Sequence, residues 1–270
     1  KQRYMIEWPG RNGLYPILQF QTIGSDSRYD RTRKVFRDYH LDFYWDRSGT
    51  EGDPTDDLIA DPSITRNIAR NCIGCHAPDY QQYTDQVTGE VLATTREDIN
   101  GEYDIDGNGK LNDLNVGCEN CHGPGSIHVS VQESRYIVSP EYLSPSRDVQ
   151  LCSRCHDRQT GADAIGNDHP LNANSEFPPP GISRGEYLAE YVTRKGPAEG
   201  SFWADFAHSK SHHQQGPDFI KSAHYRNEHH LLACSDCHNM HGGTGFKHGL
   251  VADPDAADSE LCMICHGKYI

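Results

Sequence analysis

The sequence predicts short α-helices with little other regular secondary structure, built around covalently held cofactors, with one small β-hairpin at the N-terminus. Three observations predict it. All 10 cysteines of the 270-residue chain lie in one pattern, Cys-x-x-Cys-His, which occurs five times, one copy for every 54 residues. Apolar residues make up 35% of the chain, a thin supply for a side-chain core when ordinary domains carry about 45–50%. Histidine is abundant, with 16 residues, and the five motifs use only five of them.

The motifs are Cys72-Ile-Gly-Cys75-His76, Cys118-Glu-Asn-Cys121-His122, Cys152-Ser-Arg-Cys155-His156, Cys234-Ser-Asp-Cys237-His238 and Cys262-Met-Ile-Cys265-His266. Two thiols at this spacing reach the two vinyl-derived carbons on one porphyrin edge, and the next residue, His, then sits beneath the iron as its proximal ligand. A disulfide framework has no reason to place His after every second cysteine. Zinc sites need four ligands each, and a redox dithiol occurs once per domain. The cofactors implied are five haem c groups, and the fold class is a multihaem cytochrome c, with short α-helices around stacked haems.

Eleven histidines remain for the sixth iron position. Methionine is scarce: Met263 lies inside a motif and Met240 two residues after His238. Bis-His ligation follows, with lower potentials than His/Met. The distal candidates are His128, beyond a Gly-Pro-Gly turn that points it at a neighbouring haem; His241, three residues after His238; His224, on a helix beginning near Pro217; and His213, favoured over the adjacent His212. The fifth candidate is His40, followed by His248 and His208; His169, His229 and His230 read as solvated or bonded to propionates.

Along the chain, Tyr4, Ile6 and Trp8 alternate, residues 9–13 form a turn, and Leu18, Phe20 and Thr22 alternate again. This predicts a hairpin inside a strand-rich segment, residues 1–60, that covers haem edges. The pentahaem domain is residues 61–270. Asp61-Pro62, Ser144-Pro145 and Asp258 or Ser259 each pair a capping side chain with Pro or an acid, and predict short helices running into Cys72, Cys152 and Cys262. The motif spacings are 46, 34, 82 and 28 residues. The long interval holds Pro178-Pro179-Pro180-Gly181 and sets a soft boundary near 180, between three-haem and two-haem parts that His213 and His224 stitch together.

Asp104, Asp106, Asn108 and Gly109 fit the first half of a calcium loop, with Asn112 and Asp113 as further donors. Asn115 stands where the bidentate carboxylate belongs, so the alternative is an acidic turn without metal.

The net charge is −14, which excludes nucleic acid and anionic membrane surfaces as partners. No apolar run reaches the roughly 18–20 residues of a membrane-spanning helix. Haem is joined to such motifs outside the cytoplasmic membrane, so the expected location is periplasmic or extracellular, with a signal peptide removed.

The stretch Cys118-Glu-Asn-Cys121-His122-Gly-Pro-Gly-Ser-Ile-His128 resembles the cytochrome c-554-like multihaem cytochromes. So does the run from His213 through Ser222-Ala-His224 to Cys234-Ser-Asp-Cys237-His238-Asn-Met-His241. The chain is also similar to extracellular cytochrome filament (nanowire) subunits. The resemblance implies bis-His haems in alternating parallel and perpendicular pairs, and His128, His224 and His241 as distal ligands.

The expected function is electron transfer through five closely packed haems, more an electron-transfer protein than an enzyme. Its partners would be redox proteins or copies of itself, with one distal His donated by a neighbour in a homopolymer. The alternative is a multihaem oxidoreductase acting on a small nitrogen or sulfur oxyanion at an open iron, although no Cys-x-x-Cys-Lys motif is present. A third reading, a haem-bearing storage or adhesion module, needs no electron flow.

Overall fold

The computed structural model describes residues 4–17, 21–22, 36–37, 45–46, 58–59, 62–77, 80–95, 116–166, 169–193, 202–205, 208–210, 213–256 and 258–269. The backbone groups into two compact units, Lys1–Val116 and Gly117–Ile270. The first carries one Cys-x-x-Cys-His motif and the second carries four.

In the first unit, β1 (Tyr4–Glu7) and β2 (Leu14–Ile17) form an antiparallel hairpin with Tyr4 opposite Ile17 and Glu7 opposite Leu14. The turn between them closes through Arg11 N–H on the Trp8 carbonyl at 2.9 Å, with Gly10 at φ +74°. That turn is tight enough for the strand to resume at Leu14, earlier than the expected Leu18. The later residues β3 (Gln21–Thr22) pair instead with β4 (Phe36–Arg37), and β5 (Trp45–Asp46) pairs with β6 (Leu58–Ile59).

The first motif follows on two one-turn helices, α1 (Ile68–Asn71) and α2 (Ile73–His76), with Cys72 at the break between them. The cap of α1 is Asn67, and the expected Asp61 lies outside the described residues. Asn67 is fully buried; its Oδ1 accepts from Arg70 N–H at 2.8 Å and its Nδ2 donates to the Val91 carbonyl at 2.6 Å. One side chain thus starts the helix and ties it to the next hairpin, β7 (Tyr80–Thr84) with β8 (Val91–Thr95). Ala69, Ile73 and Tyr80 are buried there, and the Gln82 amide donates to the Ala69 carbonyl.

A buried carboxylate joins the two hairpins. Glu90 accepts from Asn12 N–H at 2.9 Å, from Gly13 N–H at 3.3 Å and from the Tyr15 hydroxyl. Burial pushes Glu90 up, but these bonds outweigh it and hold its carboxyl below the ordinary value. Burial and the neighbouring carboxylate push the Tyr15 hydroxyl up.

In the second unit the helices are α3 (Cys118–His122), α4 (Ser126–Val131), α5 (Pro145–His156), α6 (Arg184–Glu186), α7 (Gln215–Lys221), α8 (Ala223–Arg226) and α9 (Glu260–His266). A π-helical turn, Tyr187–Tyr191, extends α6. Its Tyr187 and Tyr191 pack with Ile182 and Val192 in a small apolar cluster. Strand β10 (Val192–Thr193), which follows the π-helical turn directly, pairs antiparallel with β9 (Thr160–Gly161).

Helix α5 starts where Ser144-Pro145 predicts, with Pro145 at the first helical position, where a missing N–H costs nothing. Helix α9 starts one residue after Ser259. The helix expected near Pro217 is two helices. It opens at Gln215 and breaks at Ser222, whose extended backbone (ψ 158°) lets its Oγ accept Tyr225 N–H and begin α8.

Candidate metal centres

Each motif in the second unit is held differently. Motif 2 is helix α3, which ends because Gly123 turns left-handed at φ +73°. His122 and Val138 exchange two bonds: Val138 N–H donates to the His122 carbonyl at 2.9 Å, and His122 Nδ1 donates to the Val138 carbonyl at 2.7 Å. Motif 3 closes α5, and its His156 Nδ1 donates to Gln215 Oε1 at 2.8 Å. Motif 4 begins in a 3-10 turn, Cys234–Asp236, and His238 Nδ1 donates to the His248 carbonyl at 3.0 Å. Motif 5 lies on α9, with Cys262, Cys265 and His266 exposed.

These bonds decide a tautomer. A carbonyl oxygen can only accept, so a ring whose Nδ1 faces one carries its proton there and keeps its lone pair on Nε2. His122, His156 and His238 are poised in this way, and so is His128, whose Nδ1 donates to the Glu133 carbonyl at 3.0 Å. Pinning of the far nitrogen is the usual support of a metal-ligating imidazole.

The structure also brings rings together in pairs. His122 and His241 lie with centroids 5.9 Å apart and planes 12° apart. His156 and His213 are 6.1 Å apart at 75°. His224 and His266 are 6.4 Å apart at 73°. Two imidazoles bound through nitrogen on opposite sides of one metal, with bonds of about 2.0 Å and about 1.1 Å more to each ring centre, place their centroids about 6.2 Å apart. All three separations fit one iron between the rings. Each pair joins a motif histidine to a histidine from elsewhere in the unit, and two of them, His122·His241 and His156·His213, cross the expected soft boundary near residue 180. His224, expected to reach back across that boundary, meets His266 on the same side of it.

His213 adopts φ +59°, a left-handed backbone unusual for a residue with a side chain. His208 is bonded through Nδ1 to Asp205 Oδ2 at 2.7 Å, and this bond pushes its pKa up. The His229 and His230 N–H groups donate to Asn227 Oδ1. His169 is not solvated: it is buried, 2% exposed, in a segment tied back by Ala162 N–H on the Leu171 carbonyl at 2.8 Å. The candidates His40 and His212, and the calcium-loop residues Asp104, Asp106, Asn108, Asn112 and Asp113, lie outside the described residues.

Two buried charged side chains tie the motifs of this unit together. Arg154, inside motif 3, is 3% exposed; it donates to the Pro178 carbonyl at 2.6 Å and to the Asn120 carbonyl in motif 2, with its guanidinium 5.2 Å from the Phe177 ring centre. Asp148 is 4% exposed and accepts from Cys234 N–H at 3.1 Å and the Ser235 hydroxyl at 2.6 Å. Helical periodicity is the signal that could have found Asp148, since it stands one turn before Cys152 on the same face. The Cys152 and Cys234 sulfurs and an Asp148 oxygen lie within 4.8 Å of one another. Hydrogen bonding to Cys234, together with burial, pushes the Cys152 thiol up. Burial does the same to Cys121 and Cys237.

Exposed apolar side chains flank the motifs, among them Ile127, Met240 and Ile264. Such surface beside Cys-x-x-Cys-His suits the apolar faces of a macrocycle.

No family model matches the chain, and no curated protein matches its sequence. Among solved structures it is similar to the crystal structure of the outer cell wall cytochrome OcwA, with a TM-score of 0.50 and 20% identity over 78% of this chain. The match spans 47% of that chain. At this identity the likeness is one of fold. No helix among the described residues is long and apolar enough to cross a membrane.

Proposed function

We propose that this protein is an electron conduit holding five bis-His haem c groups. The observation that carries the reading is the set of three histidine pairs, with centroid separations of 5.9, 6.1 and 6.4 Å, each pairing a motif histidine with a remote one. When bound, haem c supplies a one-electron couple, and five in one chain supply a path.

The protein's own residues attach, orient and saturate the irons. The ten cysteines form the thioethers. His76, His122, His156, His238 and His266 are the proximal ligands, and Nδ1 bonds fix the rings of His122, His156 and His238. His241 would hold the second iron with His122, His213 the third with His156, and His224 the fifth with His266. His128, pinned through Nδ1 like the proximal rings, would serve with His238 to hold the fourth. The first iron takes His40 or a histidine from a neighbouring copy. Irons held by two histidines each would leave no open position for a substrate, which favours conduction over catalysis.

The OcwA likeness and the attachment chemistry support a periplasmic or extracellular location. One motif per 54 residues leaves little protein between irons, and this favours transfer onward to redox proteins or to other copies in a filament.

The test is spectroscopy of the purified protein. The wild type is expected to be wholly low-spin and to bind no carbon monoxide when reduced. His241→Ala is expected to open one iron in five, seen as high-spin signal and uptake of one equivalent of carbon monoxide. High-spin iron in the wild type would sink the saturated-conduit reading and favour the oxyanion oxidoreductase. Negative-stain microscopy decides the filament: monodisperse particles alone would rule it out.

A further inference from the structure

We infer that Asp148 is a positioning residue that docks the third haem motif against the fourth and lowers the reduction potentials of the two irons there. The inference rests on the haem reading above.

Three observations meet at this side chain. First, Asp148 lies on α5 four residues before Cys152, and only 4% of it is exposed. Second, it reaches 86 residues along the chain to accept Cys234 N–H at 3.1 Å, and also accepts Ser235 N–H at 3.4 Å and the Ser235 hydroxyl at 2.6 Å. These donors sit at the opening turn of motif 4. Third, the leading cysteines of motifs 3 and 4 meet: their sulfurs and the carboxylate share a space within 4.8 Å.

The arrangement resembles a three-ligand site for a single metal ion, but both sulfurs belong to Cys-x-x-Cys-His motifs and, on the haem reading, are committed to thioethers. The same contact brings the two haem attachment points together. The carboxylate acts as a latch: it satisfies the free amides of the motif 4 turn and so sets where Cys234 stands against Cys152.

The latch also carries charge. Haems attached at Cys152 and Cys234 would have this charge beside both attachment points, buried, where screening is weak. In general, a unit negative charge about 10 Å from a redox centre, at an effective dielectric near 20, favours the oxidised state by roughly tenfold. For a one-electron couple, tenfold corresponds to 59 mV.

The experiment is a redox titration of the holoprotein with Asp148→Asn, which keeps the shape and the acceptor oxygen and removes the charge. Five haems are counted first by peptide mass mapping. The expected result is that two of the five midpoint potentials rise, each by about tenfold in the ferrous-to-ferric ratio, while three stay in place. Unchanged potentials, or all five moving together, would overturn the inference. Asp148→Ala removes the latch as well as the charge. Haem loss confined to the peptides of Cys152 and Cys234 supports the docking role; uniform loss across all five motifs overturns it. The haem reading itself fails separately, if the wild type carries no haem on these cysteines.

Discussion

Histidine has two ring nitrogens, and what happens at one decides what the other can do. His122, His128, His156 and His238 each commit Nδ1 to an oxygen acceptor, which leaves Nε2 for a metal. A motif reader finds three of these from the preceding Cys-x-x-Cys; His128 is singled out by its place after the Gly-Pro-Gly turn, and its bond adds a second reason. Carboxylates follow the same logic of satisfaction. Glu90 is buried yet receives two backbone N–H groups and the Tyr15 hydroxyl. Its folded-state pKa lies below the ordinary 4.5. The stability it contributes is therefore present above about pH 4.5 and lost as the pH falls through the lower, folded value. Glu90→Gln is expected to cost the first unit about 1–3 kcal/mol at neutral pH, because donors lose a charged acceptor. It should also flatten the acid limb of stability, as checked by denaturant titration monitored by hydrogen exchange of Asn12 and Gly13.

Elements here are positioned by contacts at a few atoms. Helix α7 lies against α5 at Gly216, where an added Cβ would fall 2.0 Å from Asp157 Oδ1 and 2.6 Å from Ser153 Oγ. Only glycine permits that approach, and the approach sets Gln215 beside His156. Gly216→Ala is therefore expected to destabilise the second unit by about 1–3 kcal/mol, the usual cost of overpacking. It should also perturb the visible spectrum of a single haem, read by thermal melting and magnetic circular dichroism. The helix starts at Pro145 and Glu260 were legible from capping residues and Pro. The division of α7 from α8 was not, because Ser222 has no marker beyond being a good cap. Likewise the second N-terminal strand began at Leu14, since alternation alone does not say where a tight turn ends.

At the scale of the whole molecule, 35% apolar content leaves little to drive collapse. The chain is expected to need its haems to hold a fixed tertiary structure. Protein made without haem attachment should bind ANS and melt without a cooperative transition, whereas the haem-bearing form should melt cooperatively; differential scanning calorimetry of both checks it. The sequence by itself determined five Cys-x-x-Cys-His motifs and a surplus of eleven histidines, the starting point of the haem reading, because thioether attachment demands adjacent residues at fixed spacing. It also determined the class of fold, since so few apolar residues cannot build large sheets or bundles. Only the tertiary structure decided which remote histidine faces which motif, and that Asp148 latches motif 4 to motif 3. Those partners are separated by up to 119 residues, from His122 to His241. Ligation constrains where a ring stands in space and leaves its place in the chain free.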